Sequence, residues 1–295
     1  MSFPLSYHQP VFRPPSEANS LILQVTHGCS WNQCAFCEMY TSKRFEAKKE
    51  EEVFAEIDAL QLYAQHIRKV FLADGNAMVL SFQRLDRILD KLAHTFPKLQ
   101  RVSAYALPSD LRNKTDEELT QLVSKGLKIL YVGIESGDNE LLKRVNKNES
   151  HESMVHELLR AKAAGFKLSV MILNGLGGEL YSRPHAANSA LIVNAIQPEY
   201  LSTLVLSFPY GTDHFRKKFK GEFAELSVKG LIQEMGWFIK DLELEQSIFR
   251  SDHASNYLVL KGNLNRDKQM LLDRIGLALN NPALANLKPD HLRSL

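Results

Sequence analysis

Six short runs rich in β-branched and large apolar residues recur along the chain: LILQVT (21–26), KVFLAD (69–74), RVSAYA (101–106), KILYVGIE (128–135), KLSVMIL (167–173) and YLSTLVL (200–206). Most lack strict alternation, as strands covered on both faces do. Helical patterns fill the gaps, near 49–66, 83–95, 115–126, 151–164 and 183–196. In the segment TDEELTQLVSKG, Thr115 and Glu118 form a capping-box signature, Leu119, Leu122 and Val123 supply an apolar stripe, and Gly126 offers the stop. Strand and helix in alternation demand parallel pairing with right-handed crossovers. A doubly wound sheet and a barrel both satisfy that pattern.

An extended, proline-punctuated arm (1–20) precedes the first strand, and the alternation ends near Gly211. Beyond it the pattern predicts a long helix near 221–243, a short apolar run NYLVLKG and a last helix near 265–280, so 213–295 reads as an α-rich extension of a main domain at 21–212. With 295 residues, 44% of them hydrophobic, the chain can bury a large core. Its 36 basic against 34 acidic residues create no field that would gather a polyanion, so nucleic acid is not implied. No basic segment followed by an apolar run opens the sequence, and no stretch approaches the ~20 apolar residues that span a bilayer. The expectation is a soluble cytoplasmic protein without a membrane partner.

All three cysteines, Cys29, Cys34 and Cys37, follow the first strand at a C-x4-C-x2-C spacing. An odd number so closely spaced is a poor disulfide framework, and in a reducing compartment all three thiols remain free for metal. Thiolates select zinc, copper(I) and iron-sulfur clusters, and a four-iron cluster ordinarily takes four cysteines. With three, one iron keeps a place for an outside ligand. Zinc needs a fourth donor, for which His27 is at hand, and three thiols that bind nothing are the third reading.

The segment CSWNQCAFC, with Phe36 before the last cysteine, resembles the cluster loop of the radical S-adenosylmethionine (radical SAM) enzymes, with one residue more in the first gap than the commonest family spacing. The resemblance implies that Cys29, Cys34 and Cys37 hold a [4Fe-4S] cluster whose fourth iron is chelated by S-adenosylmethionine. Further stretches agree in the family's order. FLADGNA carries Asp74, Gly75 and Asn76 where the family has a Gly-Gly-Glu motif facing the methionine amino group, although Asp, Gly and Asn also favour an ordinary strand-ending turn. YVGIESG places Glu135 and Ser136 at the fourth strand's end, where a polar residue contacts the ribose or amino-acid part, with helix capping as the alternative for Ser136. MILNGLGGE puts Gly175 and Gly177, with Gly178, where the family's backbone lies against the adenine, with a plain glycine loop as the alternative, and FPYGT (208–212) resembles a turn found in several branches that also reads as structural. These landmarks fall at strand carboxyl ends, where barrel active sites gather. The implied fold is α/β, a partial (β/α)6 barrel with an open side for substrate.

The implied reaction is one-electron cleavage of S-adenosylmethionine, giving a 5′-deoxyadenosyl radical that abstracts hydrogen from the substrate. An electron donor such as flavodoxin or ferredoxin is the implied partner. With no further cysteines, an auxiliary cluster and a paired-cysteine methyltransferase are excluded, and the length leaves little room for a cobalamin domain. Hydrogen abstraction, rearrangement, carbon-carbon bond formation and a haem-handling relative of the oxygen-independent coproporphyrinogen oxidase group stay open. For the last, haem binding or chaperoning without catalysis is a second class of function, and a structural zinc protein is a third. His151, His156 and His185 fall at helical positions and read as surface or satisfied side chains. The polar run FRSDHASNY (249–257) reads as an exposed loop or as a lid that brings Arg250, Asp252, His253 or Asn256 to the substrate, and Arg250 suits a small polar or anionic one.

Overall fold

The computed structural model describes residues 4–208 and 211–293. Its strands are β1 (Leu21–Gln24), β2 (Thr26–His27), β3 (Glu46–Ala47), β4 (Lys69–Ala73), β5 (Arg101–Tyr105), β6 (Leu127–Glu135), β7 (Lys167–Asn174), β8 (Tyr200–Val205), β9 (Ser247–Ser251) and β10 (Leu260–Leu264). The helices are α1 (Glu50–Ala59), α2 (Phe82–Thr95), α3 (Pro108–Leu111), α4 (Asp116–Ser124), α5 (Asn139–Arg144), α6 (His151–Ala163), α7 (Gly178–Ile196), α8 (Asp213–Lys218), α9 (Val228–Asp241) and α10 (Lys268–Asn280). All strands but β2 and β3 form a mostly parallel eight-stranded sheet in the order β1-β4-β5-β6-β7-β8-β9-β10. Neighbours follow chain order with no reversal. A doubly wound sheet reverses its order at a switch point, so the barrel-type winding is the one adopted. FPYGT is only partly visible, because Pro209 and Tyr210 lie outside the described residues.

The chain divides into two compact units. The first comprises residues 1–32, 37–132 and 156–168. In it β1, β4 and β5 pair in parallel, with Leu23 opposite Leu72 and Leu72 opposite Ala104. Leu85, Ile88, Leu89 and Leu92 of α2 and Leu119 and Leu122 of α4 are buried, the spacing of one helix face. The expected capping box forms: Thr115 Oγ1 accepts from the Glu118 amide at 3.2 Å, and Glu118 Oε2 from the Thr115 amide at 3.0 Å. The arm ends on a 3-10 turn, Pro15–Glu17, whose buried Glu17 accepts from Arg101 at 2.8 Å and from the Tyr131 hydroxyl at 2.6 Å.

The second unit comprises 33–36, 133–155 and 169–295. Here β7, β8 and β9 run parallel and β10 returns antiparallel to β9. The extension is therefore not α-rich alone. The segment 247–251 alternates buried and exposed residues, but two buried positions are serines, Ser247 and Ser251, so no apolar run announces the strand. Burial of Ser247 is offset by its hydroxyl, which donates to Pro198 O at 2.6 Å. The helix expected from 221 starts only at Val228, after Ser227 caps it by accepting from the Gly230 amide at 3.1 Å. Upstream, Gly221 at φ +122 turns the chain out of helical geometry, and the Lys220 amide is spent on Arg144 O. Conversely, α7 begins five residues before the expected start and carries Pro184 inside it.

Candidate functional site

In the first unit, the segment after β4 grips the start of the cysteine loop. Asp74 Oδ2 accepts from the Gly28 amide at 3.1 Å, and the Gly75 amide donates to Gly28 O at 3.0 Å. Asn76 Oδ1 accepts from the Ser30 amide at 2.9 Å, while its Nδ2 donates to Ser30 Oγ at 2.7 Å and to Asp110 at 3.0 Å. Gly28 at φ +69 makes the turn into the loop. Gly75 is required for a different reason: a Cβ there would stand 2.8 Å from Cys29 Cα and Cβ. The loop thus rests on bare backbone.

Asn76, expected to meet the cofactor, has both ends of its amide engaged by Ser30 and Asp110. Asp74 is fully buried, and Lys43 Nζ reaches its Oδ2 at 2.6 Å in an ion pair inaccessible to water. Its Oδ1 is buried with no hydrogen-bond partner. An ionised carboxylate with one oxygen desolvated and unmatched is costly, so the position is suited to a cationic donor. His27 lies edge-on to His8 at 4.9 Å between ring centres, and burial lowers its pKa.

In the second unit, the segment carrying Cys34 is tied to the end of α5. The Ala35 amide donates to Val145 O at 2.8 Å, and Asn146 Nδ2 to Gln33 O at 3.3 Å. Ala35 joins an apolar cluster with Leu141, Val145, Leu173, Leu176, Phe215 and Phe219, against which Phe36 packs. Phe36 is also under a cation, Lys147 Nζ, at 6.0 Å from the ring centre.

Glu135 ends β6 with φ +66, a conformation that costs an L-residue about 1–3 kcal/mol and is kept only where the surroundings enforce it. Its carboxylate folds back over Gly133, where a Cβ would meet Oε1 at 2.0 Å. Oε1 stands 3.6 Å from Lys147 Nζ, which also donates to Gly133 O at 2.7 Å. Oε2 is buried without a hydrogen-bond partner. Burial raises the Glu135 pKa, and the Lys147 charge only partly opposes that. Ser136 does not cap α5: Asp138 does, accepting from the Leu141 amide at 2.8 Å. The Ser136 hydroxyl instead meets His185 Nδ1 at 2.8 Å and accepts from the Asp138 amide at 3.0 Å.

Gly175, at φ +85, turns the chain out of β7, and its amide donates to Glu234 Oε1 at 2.6 Å. Gly177 caps α7, and a Cβ there would meet Tyr181 at 2.7 Å. In the polar run, Arg250 is not in a loop but on the exposed side of β9, opposite Lys261, and its guanidinium donates to Phe249 O. Asp252 pairs with Lys261 at 2.8 Å on the surface. His253 Nδ1 faces Ser255 Oγ at 2.9 Å, and that hydroxyl oxygen accepts from the Val205 amide. Asn256 is buried, donating to Thr203 O at 2.8 Å and Ser251 Oγ at 3.1 Å. Ser255 and Asn256 thus hold the end of β8.

Sequence reasoning missed Lys43, Asp110, Lys147 and Glu234, and it left His185 without a role. No local pattern marks the first four, because each matters through a partner far along the chain. His185 does sit in a small-residue stretch, HAANSA, that suits a tightly packed helix face.

The three cysteines form no disulfide and are half-buried. Among the described residues, no three His, Cys, Asp or Glu side chains are grouped as for a single metal ion. The donor set is three soft thiols on an irregular loop, and each unit carries one unmatched carboxylate oxygen, Asp74 Oδ1 in the first and Glu135 Oε2 in the second. That chemistry fits an iron-sulfur cluster with an amino-acid chelate. No helix is long and apolar enough to cross a membrane among the described residues.

Comparisons with known proteins bear on the same segment. The chain is 23% identical to the heme chaperone HemW of Lactococcus lactis over 57% of its length and 44% of that protein's. It is 22% identical to a putative methylthiotransferase of Methanocaldococcus jannaschii over 71% of its length and 49% of that protein's. It thus spans less than half of these relatives. Among solved structures, coproporphyrinogen III oxidase (HemN) from Escherichia coli superposes with a TM-score of 0.57 at 19% identity, covering 75% of this chain and 52% of that one. Methylornithine synthase (PylB) superposes with a TM-score of 0.51 at 15% identity, covering 87% and 69%. The family model of the radical SAM superfamily matches residues 23–188, more than half of the sequence and the stretch that carries all three cysteines, Asp74 and Glu135; the chain belongs to that superfamily, whose enzymes use a [4Fe-4S] cluster and S-adenosylmethionine.

Proposed function

We propose that this enzyme cleaves S-adenosylmethionine reductively and uses the resulting 5′-deoxyadenosyl radical to abstract hydrogen from a substrate. When bound, the cluster and S-adenosylmethionine supply the electron and the hydrogen acceptor. The chain's own residues do the rest. Cys29, Cys34 and Cys37 hold the cluster as thiolates, and Gly75 lets the loop that carries Cys29 sit against β4's end. Asp74 Oδ1 and Glu135 Oε2 are acceptors for the cofactor's ammonium or hydroxyl groups, and the backbone at Gly175 and Gly177 borders its base. Phe36 and the apolar cluster behind it keep water from the cysteine segment. On the substrate side, Arg250 and Asp252 remain exposed for a small polar molecule, whereas Asn256 is buried with its amide nitrogen donating to Thr203 O and Ser251 Oγ. One electron enters per cleavage, from a flavodoxin- or ferredoxin-type donor.

The observation that carries this reading is a thiol loop seated on Gly75 in the same unit as a buried, unmatched carboxylate oxygen, Asp74 Oδ1, at the end of β4. The test is anaerobic reconstitution with iron and sulfide, followed by dithionite and S-adenosylmethionine. Formation of 5′-deoxyadenosine, with deuterium transferred into it from a labelled cell extract, is the expected result. A brown protein that forms none would overturn the reading. The resemblance to a heme chaperone over 57% of the chain favours one second reading, haem binding without catalysis. Tight haem binding in the absence of any substrate-dependent 5′-deoxyadenosine would select it.

A further inference from the structure

Glu234 is a carboxylic acid in the middle of α9, only 1% exposed, in a helix that the family model does not reach. Such a residue is expensive unless it has a task. Its Oε1 accepts the Gly175 amide at 2.6 Å, at the turn where β7 gives way to the Gly175–Gly177 loop. Two more ties fix the same turn to α9: Asn174 Nδ2 donates to Leu231 O at 3.1 Å, and the Leu231 side chain fills the space beside Gly175, 2.6 Å from where a Cβ would be.

His185 lies 3.8 Å from Glu234 Oε1 and is itself 1% exposed. Its Nε2 faces Leu173 O at 3.2 Å, and a carbonyl only accepts, which assigns the proton to Nε2. Nδ1 is then an acceptor, and the Ser136 hydroxyl at 2.8 Å donates to it. Ser136 Oγ in turn accepts the Asp138 amide, and Ser189 Oγ, 3.3 Å from Nδ1, accepts the Gly137 amide at 3.0 Å. His185 therefore fixes the backbone just beyond Glu135 as Glu234 fixes the backbone at Gly175. Both side chains act on strand ends, and Glu234 lies beyond the stretch that the family model matches.

We propose that Glu234 and His185 are positioning residues for S-adenosylmethionine: one holds the Gly175–Gly177 turn and the other the Glu135–Ser136 strand end, the two segments that flank the cofactor in the proposed function. The inference rests on that reading. Burial raises the Glu234 pKa, so the neutral acid is favoured and glutamine is its faithful substitute. What positions the loop is the acceptor oxygen, which Glu234→Gln keeps and Glu234→Ala removes.

The experiment measures S-adenosylmethionine affinity by equilibrium dialysis on reconstituted protein, beside KM and kcat for cofactor cleavage, iron content and melting temperature. Glu234→Ala is expected to raise the Kd and KM on the order of tenfold, the effect of one lost buried hydrogen bond, with iron content and kcat at saturation retained. Glu234→Gln is expected to bind within about threefold of the parent, a rescue a merely structural residue would not show as a KM-against-kcat split. His185→Ala, which frees Ser136 and leaves the Glu234 acceptor of the Gly175 amide in place, carries the same expectation and serves if Glu234→Ala does not fold. Unchanged affinity in Glu234→Ala or His185→Ala with full cluster content overturns the inference alone, as does a Glu234→Gln variant no better than Glu234→Ala. A parent protein that holds its cluster yet binds no S-adenosylmethionine sinks the proposed function, and this inference with it.

Discussion

Gly75 and Cys29 touch backbone to backbone, so closely that a single methyl group at Gly75 would stand 2.8 Å from both Cα and Cβ of Cys29. The atoms in the way are main chain or adjoin it, so no side chain can swing aside. Gly75→Ala must therefore push the cysteine loop off the end of β4, at a cost of about 1–3 kcal/mol for overpacking. The expected outcome is a protein that folds, melts a few degrees lower and retains much less iron after reconstitution. Iron and sulfide assays beside a thermal melt check it, and unaltered iron content would mean that the loop's seat is immaterial to the cluster.

Each of Cys29→Ala, Cys34→Ala and Cys37→Ala should abolish the intact cluster, because in the proposed function these three thiolates are the whole protein contribution to about four irons. The fold should survive. All three side chains lie on an irregular loop and none is fully buried. Near-parental far-ultraviolet circular dichroism with loss of the visible absorbance is the expected pair of readings, and a full complement of iron in any single variant would remove that cysteine from the ligand set.

With Glu135 as the proposed acceptor for S-adenosylmethionine, folding and binding are expected to depend on pH in opposite senses. Its folded pKa is raised by burial, so its contribution to stability is fully present below the unfolded carboxylate value and is lost as pH rises through the folded value. An ammonium of S-adenosylmethionine requires the ionised form instead. Affinity is therefore expected to weaken as pH falls, beginning above the ordinary carboxylate range, while the cofactor-free protein gains stability over the same interval. Glu135→Gln should bind on the order of tenfold more weakly at pH 8 and lose this pH dependence, given the worth of a hydrogen bond to a charged group. Dialysis at several pH values checks it; parallel slopes in parent and variant would assign the titration elsewhere.

What could be read from the sequence was local. The capping box of Thr115 and Glu118 depends on residues three apart, and it forms as expected. The six strands β1 and β4 to β8 announce themselves because apolar runs cover both faces. Strand β9 does not, because its buried positions include serines whose hydroxyls find partners only after folding. The cysteine loop was legible through spacing and chemistry. Its support was not: Lys43 reaches Asp74, and Lys147 approaches Glu135, by contacts that no periodicity encodes. Asn76 shows the converse. Its place after β4 suggested a cofactor ligand, but its amide is spent on Ser30 and Asp110 within the fold.

The polar run 249–257 separates two kinds of residue that look alike in sequence. Asn256 is 1% exposed and donates to Thr203 O and Ser251 Oγ, so it links the end of β8 to β9. Removing its amide leaves a buried carbonyl and a hydroxyl short of a donor, which costs about 1–3 kcal/mol. Arg250 sits one residue before Ser251 but on the exposed side, where its guanidinium donates to the adjoining Phe249 carbonyl. Its replacement by alanine should stay within about 0.5 kcal/mol of the parent. Denaturant unfolding should thus show Asn256→Ala destabilised and Arg250→Ala unchanged. In the labelled-extract assay the order reverses: Asn256→Ala keeps substrate-dependent deuterium transfer at temperatures where it is folded, while Arg250→Ala loses part of it if the exposed face of β9 borders the substrate. Full transfer by Arg250→Ala would remove that face from the substrate side and leave the run with a purely architectural task.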